Sequence, residues 1–150
     1  MLNIVLVEPE IPPNTGNVAR LCAANGLHLH LVKPLSFDID DRAVRRAGLD
    51  YWDQVKLTVH ESFDDFLKFV GTAPQYYFTT KAKQTLFEAA FVKEGFLIFG
   101  KETTGLSEKF VLAHMNQCFR IPQVNPKVRS LNLSTAVGIA AYEAIRQLGL

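Results

Sequence analysis

The chain has 150 residues, of which 48% are hydrophobic and 21% charged, and its formal net charge is +1. These values fit a soluble protein of one domain, residues 1–150, and they exclude binding of nucleic acid through overall charge, so any such surface has to be a local basic patch. No apolar run approaches the ~20 residues that a membrane span needs, and no basic segment precedes the first apolar run as in a signal peptide, so we expect a cytoplasmic protein without membrane contact.

The first half of the chain alternates short strands with helices. Apolar or alternating runs predict strands at 2–7, 27–32 and 55–59. Helical periodicity predicts a helix from about Gly16 to a C-cap at Gly26, and a short basic helix at 40–47. His28 and His30 share one strand face, a spacing more typical of surface residues than of metal ligands, and we expect no metal site.

The second half continues the alternation. Ser62 and Asp65 resemble a capping box at the start of a helix through Phe69. Further strands are predicted at 76–80, 96–99 and 117–121, and further helices at 107–115 and 134–148. This order predicts an α/β fold with a mainly parallel sheet that helices flank on both faces, with ligand sites beyond the carboxyl ends of the strands.

The last predicted helix has an apolar surface wider than one core-facing stripe. Its polar residues Glu143, Arg146 and Gln147 form one narrow stripe, and most of its other positions are apolar or small. Such a helix is either central in the fold or packs its second face on another subunit. The two cysteines, Cys22 and Cys118, are predicted to be reduced thiols in or near the core.

Three junctions between strands and helices are rich in glycine, polar and charged residues: 13–20, 99–106 and the segments 120–122 and 129–134. Because each follows a predicted parallel strand, we expect them to meet at one end of the sheet. Residue by residue, each has a simpler interpretation. The asparagines at the first junction fit helix capping, Arg20 fits either a solvated position or a phosphate contact, and Glu102 fits a solvated loop.

Together the three junctions resemble the signature motifs of the SPOUT superfamily of knotted methyltransferases, in its RNA ribose 2′-O-methyltransferase branch. The motifs stand here as 14–20 (NTGNVAR), 98–106 (IFGKETTGL), and 120–122 (RIP) with 130–137 (SLNLSTAV). The segments 9–17 and 45–51 resemble a short, single-domain subfamily that methylates the ribose of the tRNA wobble nucleotide, cytidine or a modified uridine. The resemblance covers essentially the whole chain.

The resemblance implies a C-terminal trefoil knot, S-adenosyl-L-methionine as cofactor, tRNA as substrate, and a homodimer through the last helix and the first-motif helix. It implies catalytic roles for Arg20 and Asn132. The cofactor-binding residues that it implies are Phe78, Thr79, Gly100, Glu102, Gly105, Ile121, Ser130, Leu131 and Leu133.

Contacts with RNA are predicted for a set of basic residues: Arg20, Arg42, Arg45, Arg46, Lys127 and Arg129. The alternative to an enzyme is a non-catalytic RNA-binding module that kept the knot. A phosphoacceptor domain is a weaker alternative, because Glu8 follows the first strand but no second acid follows the strand at 55–59.

Overall fold

A computed structural model describes residues 1–39, 42, 44, 46 and 49–150. Seven strands form one sheet: β1 (Asn3–Val7), β2 (His28–Val32), β3 (Lys56–His60), β4 (Gln75–Phe78), β5 (Gln84–Thr85), β6 (Phe96–Phe99) and β7 (Cys118–Arg120). Their order is β3-β2-β1-β6-β4-β7-β5, and every strand pairing is parallel. The predicted parallel α/β fold is confirmed, and only the two-residue strand β5 lacked a signal in the sequence.

Four helices have defined ends: α1 (Pro12–Asn25), α2 (Phe63–Val70), α3 (Glu108–Ala113) and α4 (Leu133–Leu148). Short 3₁₀ helices occupy Leu49–Gln54, Leu86–Glu88 and Met115–Gln117. Helix α1 begins four residues before the predicted start at Gly16, because Pro12 and Pro13 occupy the first helical positions, where no N–H donor is needed. The predicted helix at 40–47 falls largely outside the described residues.

Local signals at the helix ends behave as predicted. The Ser62 hydroxyl accepts from the Asp65 N–H at 3.0 Å at the start of α2. Gly26 and Gly149 end α1 and α4 in the left-handed conformation, with φ of 62° and 70°. These positions favour glycine, which has no Cβ to clash with the following carbonyl.

The sheet is covered on both faces. One apolar layer joins the sheet to α1 and α4, and a second joins it to α2 and α3. Both cysteines are buried free thiols, one in each layer, as predicted. Helix α4 buries Val137, Ala140 and Ala144, whereas Ile139 and Tyr142 on another face are 39% and 54% exposed. The helix therefore packs on one side only within this chain.

The interpretation of His28 and His30 as surface residues is wrong. Both are buried with His60, and His30 is fully enclosed. The His30 ring bonds at 3.0 Å to His60 Nε2 through Nδ1 and to Asn3 Oδ1 through Nε2. Burial, reinforced by the neighbouring histidines, lowers the pKa of His30 to about 3. The sequence alternation was misleading because these polar positions face α2 rather than solvent.

The described residues offer neither a metal centre nor a membrane span. No group of three or more histidine, cysteine or acidic residues among them has the geometry to hold a metal ion. No described helix is long and apolar enough to cross a membrane.

Candidate active site

The carboxyl ends of the central strands open onto a cavity of about 610 Å³. Strand β6 leads into the loop 100–105, β4 leads into Thr79, and β7 leads into Ile121. The first-motif helix α1 and the start of α4 complete the walls through Asn14 and Asn132. Because the strands are parallel, all three polar junctions reach the same edge of the sheet, as the sequence predicted.

All nine residues predicted to bind a cofactor line this cavity: Phe78, Thr79, Gly100, Glu102, Gly105, Ile121, Ser130, Leu131 and Leu133. The predicted catalytic residue Asn132 and the predicted RNA contact Arg129 line it too. Their shared location is an observation, and their roles stay predictions. The wall combines apolar side chains with hydroxyl and amide side chains, a composition typical of small-molecule sites.

The loop 100–105 is a tight hairpin that depends on its two glycines. Gly105 has φ of 67°, and its N–H donates to the Lys101 carbonyl at 2.9 Å. A Cβ on Gly100 would lie 2.2 Å from the carbonyl carbon of Gly105 and 2.3 Å from the Leu106 nitrogen. Only glycine at position 100 lets the two arms of the loop approach this closely.

Glu102 ties this loop to the start of α1. Its carboxylate accepts from the Glu10 N–H at 2.8 Å, the Ile11 N–H at 2.7 Å and Asn14 Nδ2 at 3.2 Å. A carboxylate that accepts three hydrogen bonds is held in place. Glu102 therefore organises the loop, and the interpretation as a solvated loop acid is wrong.

Two further acids reinforce the same connection, and sequence reasoning missed both roles. Glu10 accepts from the backbone N–H of Thr103 at 3.0 Å and from its hydroxyl at 2.7 Å, and these bonds lower the pKa of Glu10. Glu8 pairs with Lys101 at 3.1 Å and has φ of 53°, an unfavourable backbone conformation outside glycine. A usable signal existed, since both acids lie within three residues of the end of the buried strand β1 at the site edge.

Asn132 has two roles in the structure. It is the N-cap of α4, because its Oδ1 accepts from the Thr135 N–H at 3.3 Å. Its Nδ2 donates to Asn14 Oδ1 at 3.1 Å across the cavity wall. The capping interpretation of the first-junction asparagines is wrong for Asn14, because Ile11 is the N-cap of α1 and no side chain caps that helix.

Among the described residues, the other predicted site residues do not line the cavity. Arg20 is on an exposed face of α1, and Lys127 is exposed in the long loop before α4. Arg42 and Arg46 are exposed as well, whereas Arg45 lies outside the described residues. Within one chain, the cavity thus contains the predicted cofactor residues with Asn132 and Arg129, but not Arg20.

Comparison with known proteins places the chain among RNA methylases. The model of the SpoU rRNA methylase family matches residues 1–142. The chain is 45% identical over 152 residues to the tRNA (cytidine(34)-2′-O)-methyltransferases of Burkholderia cenocepacia and Saccharophagus degradans, covering 99% of this chain and 97% of each relative. A solved structure described as giving insight into the 2-OH methylation of C/U34 on tRNA superposes with a TM-score of 0.93 at 49% identity, covering 98% of this chain and 95% of the other.

Proposed function

We infer the function from the family to which this chain belongs, the SpoU rRNA methylases. The proposed reaction transfers a methyl group from S-adenosyl-L-methionine to a ribose 2′-hydroxyl of tRNA. The methylated nucleotide is the wobble nucleotide, either cytidine or a modified uridine. The observation that carries this proposal is the convergence of the three polar junctions on one cavity. The names of the relatives support the choice of tRNA and of position 34. We place the reaction in the cytoplasm, in one domain that spans the chain.

The cavity suits a cofactor that has an apolar ring system and a polar chain. Its volume falls within the range of roughly 300–1,000 Å³ that is common for small-molecule sites. Apolar surface for a purine ring is offered by Phe78, Ile121, Leu131 and Leu133, and Thr79 offers a hydroxyl. When bound, the cofactor supplies a methyl group activated by its sulfonium.

The protein's share of the chemistry is alignment and control of charge. A ribose hydroxyl has to be aligned with the methyl carbon, and it has to lose its proton as the new bond forms. The only carboxylate on the described cavity wall is that of Glu102, and three N–H donors already occupy it. Glu102 is therefore a positioning residue rather than the proton acceptor.

Arg20 is assigned to the substrate. A guanidinium stays protonated at neutral pH and is a poor base, but it binds phosphate with two parallel bonds and stabilises a developing alkoxide. Replacement of Arg20 with lysine keeps the charge and removes the two-pronged geometry. We expect turnover to fall in Arg20→Lys, and near-normal turnover would show that this geometry is dispensable.

Two copies of the chain complete the proposed enzyme. Helix α4 leaves Ile139 and Tyr142 exposed, and a Cβ added to Gly138, beside Ile139, would meet no other atom within 4 Å. A partner helix can approach closely on such a face. A homodimer through α1 and α4 would also double the number of exposed basic side chains at Arg42, Arg46, Lys127 and Arg129.

Two measurements test the proposed function. Calorimetric titration should show binding of S-adenosyl-L-methionine, and incubation with tRNA and methyl-labelled cofactor should place label on the ribose of nucleotide 34. Absence of cofactor binding at millimolar concentration would count against an enzyme. Binding of tRNA without any methyl transfer would favour the non-catalytic RNA-binding module instead.

A further inference from the structure

Asn14 is buried at the start of α1, and its side-chain amide forms hydrogen bonds with residues outside that helix. Only 5% of the residue is exposed, and the side chain caps no backbone group of α1. Its Nδ2 donates to Glu102 at 3.2 Å, and its Oδ1 accepts from Asn132 Nδ2 at 3.1 Å. Asn14 thus touches both the acid of the loop 100–105 and the amide at the start of α4.

The hydrogen bonds through Asn14 run in a single direction. Ser134 Oγ donates to Asn132 Oδ1 at 2.6 Å, Asn132 donates to Asn14, and Asn14 donates to Glu102. A carboxylate can only accept, so Asn14 has to present its nitrogen to Glu102 and its oxygen to Asn132. The reverse orientation would place the Asn14 oxygen against a negative charge. The charge of Glu102 therefore fixes the orientation of the Asn132 amide, although Glu102 and Asn132 share no hydrogen bond.

We propose that Asn14 is a positioning residue that transmits the anchored position of Glu102 to Asn132. Asn132 then holds its nitrogen toward Asn14 and its oxygen toward the first N–H groups of α4. The loop 100–105 and the start of α4 keep one relative position on two sides of the cavity. This role rests on the proposed function, because its consequence is measured in methyl transfer.

The substitution Asn14→Asp tests the direction of the chain of hydrogen bonds with little change of shape. It replaces the donor with a carboxylate that faces Glu102. At pH 8 we expect kcat to fall roughly 10- to 100-fold, as for the loss of a buried bond to a charged group, with the KM for tRNA unchanged. Two carboxylates at this distance favour uptake of one shared proton, which restores a donor. The deficit of Asn14→Asp should therefore shrink as the pH is lowered toward 6, whereas that of Asn14→Ala should stay constant.

The double variant Asn14→Asp/Glu102→Gln reverses the donor and the acceptor. The new amide at position 102 donates to the carboxylate at position 14, which still accepts from Asn132. The bond from the Ile11 N–H is lost at the same time, so we expect partial recovery of kcat over Asn14→Asp alone. If Asn14→Asp does not fold, the return of a folded and active protein in the double variant is the same rescue. A residue that merely fills space predicts no rescue and no dependence on pH.

Asn25→Asp is the matched control, because Asn25 lies at the other end of α1 and its side chain donates to the Leu21 carbonyl, away from the cavity. It should keep the wild-type kcat and pH profile. Equal kcat values for wild type and Asn14→Asp, or a double variant no better than Asn14→Asp, would overturn the positioning role while wild-type activity stands. A wild-type protein that transfers no methyl group to tRNA would overturn the proposed function itself.

Discussion

Replacement of Gly100 with alanine should damage the cavity more than the fold. The new Cβ would lie 2.2 Å from the backbone carbon of Gly105, and ordinary contact begins at 3.4 Å. The obstacle is backbone, so no side chain can rotate away, and the arms of the loop 100–105 have to separate by about 1 Å. Misplacement of an active-site group by about 1 Å can reduce turnover roughly 100-fold.

Calorimetric titration with S-adenosyl-L-methionine and unfolding in urea measure the two effects separately. We expect Gly100→Ala to lose about 1–3 kcal/mol of unfolding free energy and at least about 10-fold in cofactor affinity. Gly71→Ala is the control, because Gly71 has φ of 56° at the end of α2 with no atom within 4 Å of its Cβ position. It should lose about 1–3 kcal/mol through backbone strain alone and keep its cofactor affinity. Wild-type affinity in Gly100→Ala would refute the requirement for close approach.

We expect stability, assembly and RNA binding each to depend on residues outside the cavity. The pKa of His30 is about 3 against an ordinary 6.5, so between these values the unfolded chain binds a proton that the folded chain excludes. Unfolding free energy should thus fall as the pH drops below 6.5, by about 1.4 kcal/mol per pH unit per proton. Urea titrations should show a shallower fall in His30→Gln than in the wild type, and an equally steep fall would argue against His30 as its source. Ile139→Asp should yield monomers in sedimentation equilibrium. Leu112→Asp, on the exposed side of α3, is the control and should leave dimers. The same oligomeric state for both variants would argue against α4 as the interface. Lys127→Ala should reduce the slope of log Kd for tRNA against log salt by about 1, and an unchanged slope would remove Lys127 from the phosphate contacts.

The sequence predicted those parts of the fold that local patterns determine. Strand β6 is an unbroken apolar run between glycines, and it is buried on both faces as a central parallel strand should be. Helix ends at Ser62, Gly26 and Gly149 followed their capping signals. The position of the site at one edge of the sheet was predicted as well, because parallel strands bring all their carboxyl ends to one side.

The features that the sequence did not reveal depend on contacts between distant segments. Glu102 accepts a hydrogen bond from the Ile11 N–H, which lies 91 residues away along the chain, and Asn132 lies 118 residues from its partner Asn14. No periodicity within either segment records such a pairing. His30 shows the same limit, since its polarity indicated solvent, whereas α2 covers that face of β2. Propensity and spacing predict where the site lies, whereas tertiary contacts determine the role of each residue within it.

The charges on the cavity wall indicate how the proposed reaction handles its proton. Among the described lining residues, the cations are Lys81, Lys101 and Arg129, and Glu102 is the only acid. Lys101 is paired with Glu8, and the Glu102 carboxylate accepts hydrogen bonds from donors in residues 10–14. A wall of this kind holds no carboxylate ready to accept a proton, but its positive charge favours an oxygen that is becoming negative. The structure therefore favours catalysis by alignment and stabilisation of the attacking oxygen, with the proton passed to solvent or to the RNA rather than to an acid of the cavity.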